Sequence, residues 1–284
     1  FKHIFIVYMK PILINDLLLE DIPSGGAEHV DDMVAKVLDL DRVRSDDMTS
    51  FDQNAMYIVS NIARFTQEKI DQLIKCNYII IEHGYQFLSK PRRVCRFKDF
   101  IVPPELRKNY ALYANAKAVF VQTTEHLRMF NINDVKANFI NLKSSLWSNA
   151  DLDLLDELRK TDLKPIYSIY KSINGIKNTS GAVQYCKDNK LPYELIGNKP
   201  TRREFLECLS RNKALVFLPT PHNETFSRLV VEARCMGVEV ITTKTYGAVL
   251  EDWYDLYQGK ELVDFLRKNT TANLDKIREY LGNN

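Results

Sequence analysis

The stretch PTPHNETFSRLVVEARCMG, residues 219–237, follows an apolar run, ALVFL at 214–218, that has the character of a buried strand. From Thr225 to Met236 the pattern predicts a helix, with Gly237 as its C-terminal stop. Glu224 and Glu232 stand eight residues apart. At about 100° per residue they fall within about 80° of each other and about 12 Å apart along the axis. Two carboxylates so spaced suit an extended ligand with hydroxyls at both ends. The N–H groups of the helix start, at Thr225, Phe226 and Ser227, favour an anion between them. A nucleotide-diphosphate-sugar has this shape; the plain alternative is an amphipathic helix with two surface glutamates.

The 284 residues are enough for two domains, and 45% hydrophobic with 27% charged residues is ordinary for a globular chain. No apolar run approaches the roughly 20 residues of a membrane span. The chain opens directly on a strand-like run, FKHIFIVY, which leaves room for a leader ahead of it. Five scattered cysteines without a C-x-x-C pair argue against a disulfide framework or metal site and fit a cytoplasmic compartment. The net charge of +2 is uneven: residues 16–52 carry eleven acidic and three basic groups, residues 89–108 seven basic and two acidic. Either run reads as a solvated face. The basic one also reads as a surface for a polyanionic acceptor, namely a phospholipid head group, an anionic glycan or nucleic acid.

Strand-like and helix-like runs alternate, which predicts an α/β fold with parallel sheets. In the first half, strands are expected at 4–8, 56–59, 78–81, 118–121 and 139–142, with helices after Gly26 and at 67–75 and 124–130. After a polar connector at 151–160, strands are expected at 166–170, 193–196, 214–218 and 239–242. Helices are expected near 180–189 and 203–212, and two terminal ones near 261–268 and 273–281. The division falls into residues 1–150 and 151–284, leaving a cleft at the carboxyl ends of the strands.

Three further features point to that cleft. Gly25 and Gly26 open the first helix and let a ligand approach the backbone. Lys171 and Lys177 follow the first strand of the second half, where ammonium groups would neutralise a leaving diphosphate. Glu82 and His83 end a first-half strand; His83 would contact the transferred sugar or the attacking hydroxyl, with Glu82 orienting it or acting as base. A G-x-G-x-x-G fingerprint after a strand and a P-loop are both missing, which disfavours a dehydrogenase.

With these pieces in hand, the chain resembles retaining glycosyltransferases of the two-domain GT-B architecture, in the GT4-like group. The carriers are Gly-Gly-Ala-Glu at 25–28, Glu-His-Gly at 82–84, Lys177, and PTPHNETFSRLVVEARCMG against the family's P-S-x-x-E-x-F-G-x-x-x-x-E-A-x-A-x-G. The resemblance implies two Rossmann-like domains, with Glu224 on the donor sugar, Glu232 on the ribose, Lys177 on the diphosphate, and Gly25 and Gly26 lining the donor site. Two positions depart from the pattern. The family's Gly-Arg pair is Tyr170-Lys171 here, which loses the arginine fork, and its Gly after E-x-F is Ser227.

The expected activity is metal-independent transfer of a sugar from a nucleotide-sugar co-substrate, a UDP-sugar first, to a hydroxyl, with no other cofactor. Retention is implied by the resemblance alone. The expected acceptor is a glycan or lipid-linked intermediate, with peripheral membrane contact. Hydroxylated bases in viral DNA are the second option, for which Tyr85, Phe87, Phe97 and Phe100 would supply stacking faces; they read equally as core or as a membrane-docking face. The competing class is a non-catalytic nucleotide-sugar-binding module.

Overall fold

A computed structural model describes residues 10–21, 26–89, 94–159, 162–197 and 199–282. The first half contains strands β1 (Ile12–Asn15), β2 (Asp41–Arg44), β3 (Met56–Val59), β4 (Asn77–Glu82), β5 (Val119–Val121) and β6 (Phe139–Asn141). Its helices are α1 (Gly26–Val37), α2 (Gln67–Leu73), α3 (Tyr110–Asn115) and α4 (Thr124–Ile132). The six strands form one parallel sheet in the order β2-β1-β3-β4-β5-β6. Helix α5 (Asn149–Glu157) leads to the second half. There α6 (Thr179–Asp188), α7 (Arg202–Ser210), α8 (Arg228–Cys235), α9 (Trp253–Leu256) and α10 (Gly259–Leu281) surround strands β7 (Lys164–Tyr170), β8 (Tyr193–Ile196), β9 (Asn212–Phe217) and β10 (Glu239–Thr242). These pair in parallel as β10-β9-β7-β8.

The period of two along each strand divides the first core. Tyr78 and Ile80 of β4 join Tyr57, Val59, Val119 and Val121 on one face, while Ile79 and Ile81 join Ile58, Phe120 and the α1 residues Val30 and Val34 on the other. Burial on both faces explains why β4 reads as an unbroken apolar run. The strand expected at 4–8 lies outside the described residues. Two strands absent from the sequence reading are present. The buried ILIN of β1 is only four residues long. In β2, DRVR is polar because it is an edge strand: Arg42 pairs with Glu20 and Asp32, and Arg44 with Asp21.

Two helix expectations are corrected. The helix expected from Thr225 starts only at Arg228, after Ser227 in the left-handed region (φ 68°, ψ 81°). The two expected terminal helices are one helix, α10. The polar run that suggested a break is used for anchoring: the Thr270 hydroxyl accepts from Trp147 N, and Asn269 and Asn273 donate to the Leu142 carbonyl. Leu262, Val263 and Leu266 of α10 pack in the second core, and Leu274, Ile277 and Leu281 in the first.

The two sheets meet through polar loops. Thr123 Oγ1 donates to the Thr225 carbonyl at 3.0 Å, Thr225 Oγ1 to the His83 carbonyl at 2.9 Å, and Tyr85 OH to the His222 carbonyl at 3.2 Å. His222 Nδ1 lies 2.7 Å from Glu125. A Cβ on Gly247 would stand 1.8 Å from the Thr225 carbonyl oxygen. Gly247→Ala is therefore expected to destabilise the fold by about 2 kcal/mol or more, read as a lower urea midpoint at unchanged slope.

His126 is wholly buried. Its Nε2 donates to the Gly84 carbonyl at 2.6 Å, and burial pushes its pKa down to about 3. The unfolded imidazole takes up a proton near pH 6.5, which the folded one refuses. Stability present at pH 7 should thus be lost as pH falls below 6.5, by about 2 kcal/mol at pH 5 from this group. Denaturation of His126→Gln at pH 7.5 and 5.0 should show a lower starting stability and a smaller loss on acidification than the wild type.

Candidate functional site

At the carboxyl ends of the strands lies a cavity of about 570 Å³, whose walls come from both halves of the chain. Gly26, Ala27 and His29 of α1, His83 after β4 and Gln122 after β5 form one side. Tyr170, Lys177, the segment 199–202, Phe205, and Glu224 through Leu229 with Glu232 form the other.

Of the residues singled out in the sequence, His83, Lys177, Gly26, Glu224, Thr225, Phe226, Ser227 and Glu232 line this one cavity. Gly25 lies outside the described residues. Lys171 is exposed at the end of β7 and does not reach the lining. Glu82 does not reach it either. It is fully buried, accepting from Tyr113 OH at 2.6 Å and from Gly84 N at 3.0 Å, so it braces the loop that carries His83.

Glu224 and Glu232 do not share a helical face, because Glu224 sits in the loop ahead of α8. Its Oε2 takes an ion pair from Lys177 at 2.6 Å. Glu232, on α8, pairs with Arg202 at 2.7 Å. Arg202 and Arg228 also flank Asp151, at 3.2 and 3.6 Å. Burial opposes ionisation of Asp151, but the two guanidinium groups outweigh it and hold its carboxyl below the usual range. Burial and the neighbouring Arg202 push Arg228 down to about 10. Arg228 lies 3.8 Å over the Trp147 ring, donates to the Leu146 carbonyl, and meets Gly26, where a Cβ would stand 3.3 Å from its Cδ. Glycine at 26 thus leaves the Arg228 side chain room at the start of α1.

On the facing wall, His83 Nε2 lies 3.0 Å from Asp31 Oδ1. The other oxygen of Asp31 accepts from Ser60 Oγ at 2.7 Å and Asn15 Nδ2 at 3.2 Å. Burial alone would lower the His83 pKa, but the Asp31 carboxylate overcomes it and the net shift is upward. Half-buried Glu28 beside them is raised by burial. Asp31, Arg202, Arg228, Asp151, His29 and Gln122 escaped the sequence reading. Asp31 had a legible signal, since it stands among Val30, Met33 and Val34 on an apolar helix face, and a carboxylate there needs partners. Among the described residues, no group of three or more His, Cys, Asp and Glu side chains converges as a metal set.

Tyr85 and Phe87, offered as base-stacking faces, are core residues, and Phe97 and Phe100 pack against the same core. The acidic run is likewise not wholly a solvated face, as Asp16 and Asp31 are buried and hydrogen-bonded. Among the described residues no helix is long and apolar enough to cross a membrane.

No family model and no curated protein matches the sequence. Solved structures do match. Trehalose-6-phosphate synthase OtsA superposes with a TM-score of 0.56 at 8% identity, covering 96% of this chain and 99% of that one. Alr3699/HepE from Anabaena, solved with UDP and glucose, gives 0.51 at 12% identity, covering 96% and 92%. Against the GtfA/B complex the chain spans 58% of the length, with a TM-score of 0.46 at 13% identity. Two Rossmann-like parallel sheets facing one cavity, superposing on OtsA and HepE, give this chain the GT-B fold.

Proposed function

We propose that the chain transfers a sugar from a nucleotide-sugar, a UDP-sugar first, to a hydroxyl on a glycan or lipid-linked acceptor. The observation that carries this reading is the convergence of Lys177, Glu224 and Glu232 on one cavity, with the N-terminus of α8 between the two acids. That HepE was solved with UDP and glucose supports the choice of donor.

On this reading the diphosphate lies at the start of α8, where unpaired N–H groups and the helix dipole favour an anion, and Lys177 leaves Glu224 to meet it. Glu224 is thereby released to accept sugar hydroxyls, while Glu232 accepts from the ribose. Positive charge and backbone N–H groups stabilise the leaving diphosphate as the glycosidic bond breaks, which asks for no metal ion. For retention, the acceptor hydroxyl attacks on the side of the departing phosphate, whose oxygen takes the proton, and His83 holds a hydroxyl of the transferred sugar. The His83–Asp31 pair favours a second reading, in which His83 is a general base and attack from the opposite side inverts the anomeric carbon.

Stabilisation in a thermal-shift screen of UDP-, GDP- and ADP-sugars is the first test, with one nucleotide class expected to raise the melting temperature. Lys177→Ala should lower the rate of donor cleavage by about a hundredfold or more; equal turnover in variant and wild type would remove Lys177 from the chemistry. A donor that binds but is never turned over with any acceptor would make the chain a binding module. The anomeric configuration of the product, by NMR, separates retention from inversion.

A further inference from the structure

Arg202 opens α7, where Thr201 and Glu204 close a capping box, so its backbone is fixed at a helix start while its side chain crosses to α8. Its Nη2 donates to Glu232 Oε1 at 2.7 Å, and its Nη1 lies 3.2 Å from Asp151 Oδ1. Arg228 approaches the same two acids from within α8, with Nε 3.6 Å from Glu232 Oε1 and Nη2 3.6 Å from Asp151 Oδ2. Both cations therefore crowd onto one oxygen of Glu232. The other oxygen, Oε2, accepts no hydrogen bond among the described residues, and Glu232 lines the cavity. The Glu232 side chain is only 9% exposed and that of Arg202 16%, so neither is free to reorient in bulk water.

A carboxylate oxygen only accepts hydrogen bonds and a guanidinium only donates them. Side by side in a cavity wall they offer an acceptor and a donor to one group that is itself both, a hydroxyl. A phosphate would be repelled by the bare carboxylate oxygen, and an apolar group would leave that oxygen desolvated and unpaired. Pro200 and the Tyr170–Phe205 pair, whose rings meet edge to face at 5.8 Å, line the same cavity as Arg202 and add apolar surface to it.

Resting on the donor reading above, the geometry points to Arg202 as the residue that makes this end of the cavity selective for ribose: it pins Glu232 by one oxygen, leaves the other to a ribose hydroxyl, and so disfavours deoxyribose. Arg202 acts through Glu232 as a positioning residue. The family-like acid supplies the acceptor, and Arg202, outside the motif that carries the resemblance, fixes where that acceptor points.

The test is calorimetric titration of the wild type, Arg202→Gln and Arg202→Lys with UDP, GDP and ADP, followed by the 2′-deoxy and 3′-deoxy forms of whichever binds best. The wild type should bind at least one deoxy form about tenfold to a hundredfold more weakly than the ribonucleotide. In Arg202→Gln the ribonucleotide should weaken by about the factor of the wild-type preference with little change for the deoxy form, so that the preference falls below about threefold. Arg202→Lys keeps the charge but reaches only one of the two acids, and should fall between. A preference unchanged in Arg202→Gln, or absent in the wild type, overturns the inference. So does equal weakening of every nucleotide, which is what a merely structural role would give. A wild type that binds none of the three diphosphates removes the donor reading itself, and the inference with it; binding without a ribose preference removes the inference alone.

Discussion

The loop from His222 to Ser227 leaves a strand of the second sheet but takes its hydrogen bonds from both halves of the molecule, and the cavity depends on that. The carbonyl of Glu224 accepts from Gly247 N, that of Thr225 from the Thr123 hydroxyl, and that of Phe226 from Ala248 N. A helix running through this segment would need those three carbonyls for the N–H groups of residues 228, 229 and 230. With these carbonyls turned toward partners outside the segment, the chain passes through a left-handed Ser227 and the helix starts late. Two consequences follow from one constraint. Glu224 stays in the loop and meets Lys177, and α8 begins beside the cavity with the N–H groups that a helix start leaves without intrahelical partners.

Several of the charges around the cavity are neutralised in pairs. Lys177 holds Glu224, Arg202 and Arg228 hold Glu232 and Asp151, and His83 is held by Asp31. Half-buried ion pairs contribute little net stability, because desolvation offsets attraction, but removal of one partner leaves an expensive bare charge. Such a lining favours ligands that replace a partner like for like.

Much of the fold was legible because burial makes β3 and β4 continuous apolar runs, while the partly exposed edge strands β8 and β10 are short runs bounded by turn residues, and the limits of all four follow the sequence pattern closely. What was not legible depends on tertiary hydrogen bonds. The DRVR edge strand is polar because its arginines pair with acids from other elements. The Asn and Thr run inside α10 looks like a break until it is seen to anchor Leu142 and Trp147. In the cavity, the motif residues Glu224, Glu232 and Lys177 could be read from the chain, whereas their partners could not. Arg202 and Asp151 lie far from Glu232 in sequence, and nothing in local spacing brings them together.

On the proposed reading, the Lys177–Glu224 pair links recognition of the two halves of the donor. Lys177 pairs with the acid that, on this reading, binds the sugar. A free monosaccharide must compete with an ammonium at 2.6 Å for that carboxylate and offers Lys177 nothing in exchange. A diphosphate offers Lys177 a stronger anion and releases the glutamate at the same moment. Sugar affinity at Glu224 is then conditional on a phosphate at the start of α8, so the site favours the intact donor over either half. The late start of the helix makes this possible: on a continuous helix from residue 225, Glu224 would stand at the N-terminus itself, where the dipole would hold it against the phosphate's own position.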